Sequence, residues 1–177
     1  MRFVPTPIPG VVVVEPEPRA DDRGFFARTW CRDEFAAAGL AADWAQCNVS
    51  FNRRAGTLRG MHWQAAPHEE VKLVRCTAGA AYDVVLDVRR DSPTFGKWVA
   101  VELTAANRKA VYIPGGLAHG FQTLADGTEL FYHMGSVYVP GAARGVRWDD
   151  PAFGIEWPPC ENRVIAPRDL SFPDFAP

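Results

Sequence analysis

The segment GTLRGMHWQ, residues 56–64, places three side chains that could do chemistry on one short, strand-like stretch. Arg59 carries a permanent cation, His62 an imidazole that can act as a base, and Gln64 an amide. In an extended strand alternate residues share a face, so His62 and Gln64 point to one side with Leu58, whereas Arg59 points to the other. The pattern predicts that His62 faces the interior of the fold.

Three further polar side chains fall on predicted inward faces. In ELFYHM, Tyr132 is in phase with the leucine and the methionine of that segment. In KLVRC, Lys72 is in phase with apolar neighbours, where an unpaired ammonium costs several kcal/mol or loses its proton. Asp83, in AAYDVVLDV, could be its partner if the two segments form a hairpin across residues 78–79.

Each of these residues also has a purely structural interpretation. His62 could be a hydrogen-bonded histidine of the core or its rim, Tyr132 an amphipathic core residue, and Lys72 a side chain that extends to solvent. Their convergence favours a function, because a small apolar core has little use for a histidine, a tyrosine, a lysine and an aspartate together. We therefore expect these side chains to line a pocket.

Neither the histidines nor the cysteines are spaced as metal ligands. The four histidines are His62, His68, His119 and His133. They contain no H-x-H pair, so we expect no metal site. The four cysteines are Cys31, Cys47, Cys76 and Cys160. They contain no C-x-x-C pair, which predicts reduced, packed thiols rather than disulfides.

The elements that position these residues are predominantly strands. Fifteen glycines and fifteen prolines separate short runs rich in β-branched and aromatic residues, a pattern typical of a sandwich, barrel or jelly roll. RDEFAAAGL, residues 32–40, has a helical pattern with Gly39 near its end. We expect an all-β fold with one or two short helices and an irregular tail from Trp157 onward. Besides residues 56–64, predicted strands begin at Val11, Phe25, Lys72, Ala80, Trp98, Lys109, Gly120 and Glu129.

Composition limits the class of protein. A chain of 177 residues with 47% hydrophobic and 23% charged residues predicts a single domain spanning residues 1–177. The net charge of −2 argues against a nucleic-acid or membrane surface, although a few arginines could still hold one phosphorylated small molecule. The start, MRFVPTPIPG, lacks the apolar core of a signal peptide, and no run approaches the roughly 18 apolar residues of a membrane span. We expect a cytoplasmic protein.

Seven segments, in order along the chain, are similar to the dTDP-4-dehydrorhamnose 3,5-epimerase family. They are DDRGFF, QCNVS, GTLRGMHWQ, KLVRC, DVVLDVRRDSPTFG, IPGGLAHGF and RWDDPAFGIEWP. The similarity runs from about Arg23 to Asp169. It implies a cupin-like jelly roll, usually a homodimer, that epimerises a nucleotide-linked 4-keto-6-deoxyhexose without a metal or an organic cofactor.

The resemblance implies a chemical role for each inward residue. A ketone at C4 acidifies the protons on C3 and C5, but removing them near neutral pH needs a base and stabilisation of the enolate oxygen. His62 matches the base of the family and Asp169 the aspartate that orients it. Tyr132 matches the acid that returns a proton from the opposite face. Lys72 is implied to lie near the enolate, with Asp83 holding its ammonium charged.

Further positions match family contacts to the substrate. Guanidinium groups suit phosphate oxygens, and the resemblance places Arg23 and Arg59 on the diphosphate. It implies that Phe25 and Tyr138 stack on the nucleobase and that His119 contacts the sugar. The other implied substrate-binding residues are Gln46, Asn48, Arg28 and Arg168.

Two positions depart from the family pattern on the side of the nucleotide. Arg28 stands where glutamate is common, and Ala143 replaces a second acidic residue. Cytosine presents an acceptor at N3 where thymine presents a donor, so Arg28 could favour a CDP-linked over a dTDP-linked sugar. Alternatively, Arg28 points into solvent or pairs with Asp21 or Asp22.

Three functions remain open on the sequence. An epimerase could invert C3, C5 or both. A ketoisomerase could use the same base and acid to move a proton between neighbouring carbons. A non-catalytic domain could bind a nucleotide sugar, but it would have no need for His62, Asp169, Lys72 and Tyr132 together.

Overall fold

The computed structural model describes residues 1–41 and 43–175, which form two packed, mainly antiparallel sheets, a separate two-stranded sheet and little helix. Among these residues, no helix is long and apolar enough to span a membrane. The strands are β1 Arg2–Pro5, β2 Val12–Glu15, β3 Arg19–Asp21, β4 Gly24–Phe26, β5 Gln46–Asn52, β6 Thr57–Gln64, β7 Lys72–Ala78, β8 Ala80–Asp87, β9 Trp98–Thr104, β10 Ala110–Ile113, β11 Leu117–Thr123, β12 Thr128–Met134, β13 Ala143–Gly145 and β14 Val164–Ile165. The helices are α1 Arg32–Ala37 and α2 Pro167–Leu170, with a 3₁₀ turn at Pro140–Ala142.

The two sheets form a sandwich around an apolar core. Sheet 1 has the strand order β1-β2-β10-β7-β12-β5. Sheet 2 has the order β13-β6-β11-β8-β9, and β14 runs parallel to β6. Val74 and Leu130 of sheet 1 pack with Val85 and Phe121 of sheet 2 in one buried cluster. The predicted all-β jelly roll with one or two short helices is confirmed, and the described residues contain two α-helices.

Alternation along the strands decides which side chains face inward. Tyr132 on β12 is paired with Asn48 on β5, and Met134 with Gln46, so these four residues share the inner face of sheet 1. Phe35 of α1 packs on the outer face of the same sheet against Leu73 and Tyr112. The predicted inward direction of Tyr132 is therefore confirmed.

A register shift in β6 changes which of its residues face inward. His62 is paired with His119 of β11, and Arg59 with Phe121, so three steps along β6 match two along β11. Since His119 and Phe121 lie on one face of β11, His62 and Arg59 come to the same side. The prediction from strict alternation that Arg59 faces away from His62 is wrong.

The predicted hairpin between residues 72–76 and 80–88 is also wrong. Strand β7 pairs with β10 and β12 in sheet 1, whereas β8 pairs with β9 and β11 in sheet 2. The chain crosses between the sheets at Gly79, whose φ of 72° suits glycine. Lys72 and Asp83 therefore lie on different sheets and are not cross-strand partners.

Other local predictions are partly corrected. The strand predicted from Phe25 ends at Phe26, and the tail after Trp157 contains β14 and α2. The helix predicted over residues 32–40 ends at Ala37, before Gly39 with its φ of 72°. All four cysteines are free, as expected, but Cys47 is exposed rather than packed.

Candidate active site

A cavity of ≈580 Å³ opens between the two sheets, with β5, β7 and β12 on one wall and β6, β11 and β13 on the other. Most of the candidate residues from the sequence contribute to its lining. These are Gln46, Asn48, Arg59, His62, Lys72, His119, Tyr132, Tyr138, Arg168 and Asp169.

Three residues expected to contact substrate do not line this cavity in their own chain. Arg23 is 89% exposed and bonds to Asp21. Phe25, on the separate β3–β4 hairpin, lies beneath the guanidinium of Arg108. Arg28 forms an ion pair with Glu34 at 2.6 Å rather than with Asp21 or Asp22.

His62 and Asp169 form a hydrogen-bonded pair at the cavity wall. Nε2 of His62 lies 2.7 Å from Oδ1 of Asp169, and the amide of Gly60 donates to the other carboxylate oxygen. Burial alone would raise the pKa of Asp169, but the hydrogen bond and charge of His62, together with the Gly60 amide, hold this pKa below its usual value. Asp169 is therefore ionised at neutral pH and accepts the Nε2 proton, which leaves Nδ1 of His62 free to act as a base.

Tyr132 lies on the opposite sheet from His62. Burial raises the pKa of its phenol well above 10, and the nearby Asp83 adds to this effect while Arg59 opposes it. Among the residues described, none forms a hydrogen bond with the hydroxyl. The phenol is therefore protonated at neutral pH and can donate into the cavity.

The expected pairing of Lys72 with Asp83 is replaced by two separate contacts. Nζ of Lys72 lies 2.9 Å from Oε1 of Glu70, and both side chains are buried. Oδ2 of Asp83 lies 2.8 Å from Nε2 of His119 behind the cavity wall. The reason is the strand order. Asp83 on β8 lies beside His119 on β11 because these strands are neighbours in sheet 2, whereas Lys72 lies on β7 of sheet 1.

Glu70 is the most informative residue that sequence reasoning missed. It precedes Lys72 by two positions, and alternate residues of an extended segment share a side, so the E-x-K spacing was a usable signal. The cavity also presents Ala143 where the family pattern has an acidic residue. The other lining residues to which the sequence assigned no role are Trp63, Gln64, Phe121, Met134, Arg144 and Ala166.

The charges around the cavity suit an anionic ligand. Lys72 is paired with Glu70, and Asp169 with His62, so the carboxylates on the wall are already engaged. Three guanidinium groups remain on the wall, those of Arg59, Arg144 and Arg168. Within residues 1–41 and 43–175, no group of His, Cys, Asp or Glu is arranged to hold a metal ion. The arrangement can carry out proton transfer on a bound phosphorylated molecule.

Residues 5–177 match the model of the family described as dTDP-4-dehydrorhamnose 3,5-epimerase. The enzyme of that name from Shigella flexneri is 40% identical over 176 residues, which cover 99% of this chain and 96% of the relative. The structure of the Bacillus anthracis dTDP-4-dehydrorhamnose 3,5-epimerase with TDP and PPi bound is 34% identical. The match has a TM-score of 0.94 and covers 98% of this chain and 99% of the relative. ChmJ, a 3'-monoepimerase from Streptomyces bikiniensis in complex with dTDP-quinovose, is 37% identical. The match has a TM-score of 0.90 and covers 96% of this chain and 85% of the relative.

Proposed function

This chain belongs to the dTDP-4-dehydrorhamnose 3,5-epimerase family, and we propose that it inverts C3, C5 or both of a dTDP-linked 4-keto-6-deoxyhexose through an enolate. It is an isomerase, like the relatives that it matches across its length. The observation that carries the proposal is one cavity in which His62 of sheet 2, hydrogen-bonded to Asp169, lies opposite a protonated phenol on sheet 1. Inversion requires a base and an acid on opposite faces of the reacting carbon.

In the first step, Nδ1 of His62 takes the proton from the carbon next to the ketone. The C–H electron pair forms the C=C bond of the enolate, and the carbonyl pair moves onto the C4 oxygen. Asp169 stabilises the imidazolium that forms, as its ionised state and its 2.7 Å contact with His62 support. The ammonium of Lys72 stabilises the charge that develops on the C4 oxygen.

In the second step, Tyr132 donates its hydroxyl proton to the same carbon from the other face. The enolate collapses to the ketone, and the configuration is inverted because the proton arrives opposite to the side from which it left. His62 then holds one extra proton and Tyr132 lacks one. His62 is half-buried and in contact with solvent, so water can take up the imidazolium proton and return one to the phenolate.

Product analysis by NMR tests the proposed reaction. Incubation with dTDP-4-keto-6-deoxyglucose should give ring couplings that show an inverted centre while the ketone stays at C4. A ketone that moves to C3 would show ketoisomerisation instead. An unchanged sugar that still binds would favour the non-catalytic binding domain.

We propose dTDP rather than CDP as the nucleotide carrier. Arg28, the basis for suspecting CDP, is paired with Glu34 and lines a separate cavity with it. The related structures named above hold TDP or a dTDP-sugar. Calorimetry should show tighter binding of dTDP than of CDP, and Arg28→Ala should leave this preference unchanged. Tighter binding of CDP would overturn the assignment.

We also propose that the protein is a homodimer in the cytoplasm. On the outer face of sheet 1, Val49 is 57% exposed and Phe51 55% exposed, which suits burial against a second copy. Arg23 and Phe25, on the exposed β3–β4 hairpin, can contact a substrate only if the hairpin reaches the cavity of a partner. The free cysteines suit a reducing compartment.

Light scattering after size exclusion tests the dimer. The chain should elute with twice its monomer mass of 19.5 kDa. Phe51→Asp should shift the mass towards the monomer, because it buries a charge in the proposed interface. Val164→Asp, at an exposed apolar position on β14, serves as the control and should leave the dimer intact. A monomeric wild type would contradict the proposal.

A further inference from the structure

Glu70 and Lys72 form a buried ion pair inside the cavity. No role expected from the sequence includes Glu70. Their side chains are 10% and 7% exposed, and Nζ of Lys72 lies 2.9 Å from Oε1 of Glu70. We propose that Glu70 is a positioning residue that holds the Lys72 ammonium in place and aimed at the enolate oxygen. The inference rests on the proposed epimerase function and deepens it.

The carboxylate of Glu70 is itself held in place by Gln64. Oε1 contacts Lys72, and Oε2 accepts a hydrogen bond from Nε2 of Gln64 at 3.2 Å. Gln64 is buried in β6, so its amide is anchored to sheet 2 while Lys72 belongs to sheet 1. With both oxygens engaged, the carboxylate has one orientation, and the ammonium that it contacts is fixed across the cavity.

Gln64 also binds the segment that carries Tyr138. Its Nε2 lies 3.3 Å from the carbonyl oxygen of Val137, and its Oε1 accepts the amide of Val139 at 2.6 Å. The two backbone contacts flank Tyr138, which lines the cavity. The Glu70 carboxylate and the Tyr138 segment are thus set by the same amide.

The other two carboxylates near the cavity each contact a histidine rather than Lys72. Asp83 contacts His119 at 2.8 Å, and Asp169 contacts His62 at 2.7 Å. Among the described residues, Glu70 is the carboxylate in ion-pair contact with Lys72. A buried ammonium without such a partner turns towards solvent, and the enolate oxygen then loses its charged donor.

The Glu70→Gln variant tests the proposal, because it removes the charge and nearly preserves the shape. We expect kcat to fall by roughly 10-fold to 100-fold, less than the loss of roughly 10²-fold to 10³-fold typical of deleting an oxyanion donor itself. KM should stay within about two-fold, since the charge on the C4 oxygen develops only in the transition state. The matched control is Glu69→Gln, an exposed neighbour outside the cavity wall, which should leave both constants unchanged.

A double variant separates positioning from a general structural role. If Glu70 acts through Lys72, adding Glu70→Gln to Lys72→Met should lower kcat no further, whereas independent structural effects would multiply. Glu70→Asp keeps the charge and should retain more activity than Glu70→Gln. If Glu70→Gln does not fold, the same test applies to Glu70→Asp, whose smaller loss should vanish in the Lys72→Met background.

The outcomes distinguish this inference from the proposed function. If the wild type neither exchanges a proton nor inverts the sugar, the epimerase proposal fails first. If the wild type is active and Glu70→Gln matches Glu69→Gln, the positioning role is overturned. An increase in KM with kcat unchanged, or losses that multiply in the double variant, would overturn it as well.

Discussion

His62 and Tyr132 meet different surroundings, and this difference underlies their proposed roles. His62 is half-buried and bonded to an ionised Asp169, so one ring nitrogen is free to accept a proton. Tyr132 is partly buried near Asp83, and its raised pKa keeps the proton on the phenol. The two environments separate a base from an acid within one cavity.

Replacing these two residues should have different effects on proton exchange and on inversion. His62→Ala should abolish exchange of H3 and H5 with solvent, because no base remains to form the enolate. Tyr132→Phe should keep part of the exchange while blocking inversion, because His62 can still remove and return a proton on its own face. NMR in deuterated water measures both. Equal residual exchange in the two variants would contradict the assigned roles.

Single residues show how far sequence reasoning reached. His62, Tyr132 and Lys72 were identified as inward-facing by alternation, which needs only the local strand. Asp83 was wrongly chosen as the partner of Lys72 because a cross-strand pair depends on which strands are neighbours. Asp83 follows the crossover between the sheets and binds His119, whereas Glu70 lies beside Lys72 in the chain.

The contact between β6 and β11 depends on two facing glycines. A Cβ on Gly120 would lie 2.6 Å from Sδ of Met61 and 2.8 Å from the carbonyl oxygen of Arg59. A Cβ on Gly60 would lie 2.5 Å from Cα of Gly120. This close approach accompanies the register shift that brings Arg59 and His62 to one face.

Gly120→Ala should therefore damage both stability and activity. The added methyl group forces β6 and β11 apart, which should lower the free energy of unfolding by ~1–3 kcal/mol and displace His62. Gly141→Ala is the control, since a Cβ there meets nothing within 4 Å. Urea unfolding and initial rates measure the two effects. A Gly120→Ala protein as stable and active as Gly141→Ala would show that β6 and β11 accommodate a methyl group between them, which would contradict this account.

A buried carboxylate holds the loop between β8 and β9. Asp87 accepts hydrogen bonds from Arg89, Ser92 and Thr94. Burial alone would raise the pKa of Asp87, but these contacts outweigh it and lower the pKa from 3.8 to about 2. A lowered pKa in the folded state stabilises the fold above pH 3.8, and this contribution disappears as the pH falls through about 2.

Asp87→Asn should accordingly lose stability that depends on pH. The difference between 3.8 and about 2 corresponds to ~2 kcal/mol at neutral pH. Urea unfolding should show the variant less stable than the wild type by at least this amount at pH 7, and the gap should narrow as the pH falls from 4 to 2. Asp22→Asn, at an exposed position, is the control. A gap that stays constant with pH would mean that the carboxylate charge contributes nothing.

Elements with a strong local signal were predicted well, and those defined by tertiary pairing were not. The runs of β-branched, aromatic and other apolar residues in 80–87 and 128–134 mark β8 and β12 without reference to the rest of the fold. Strand β14 has two residues and exists through its parallel pairing with β6. Helix α2 has four residues, too few for an apolar period to be visible, yet it carries Asp169.

Across the whole molecule, both sheets contribute to one core and to both walls of the cavity. Val74 and Leu130 of sheet 1 pack against Val85 and Phe121 of sheet 2. Burying a single shared core favours cooperative unfolding. Length and composition predict one domain over residues 1–177, and this stays a prediction.

The single-domain prediction is testable by equilibrium unfolding. Far-UV circular dichroism should report the sheets, and tryptophan fluorescence should report local packing. The two curves in urea should coincide in one transition, because neither sheet can keep its inner face buried without the other. Two separated transitions would show that part of the chain folds independently.

Deuterium incorporation tests the central claim most directly. The wild type is incubated with dTDP-4-keto-6-deoxyglucose in deuterated water, and H3 and H5 are followed separately by NMR. We predict that at least one of the two signals is lost as an inverted product appears. Deuterium at both carbons would identify a 3,5-epimerase, and deuterium at one a mono-epimerase. Retention of both protons by a folded protein that binds the nucleotide sugar would contradict epimerisation through an enolate.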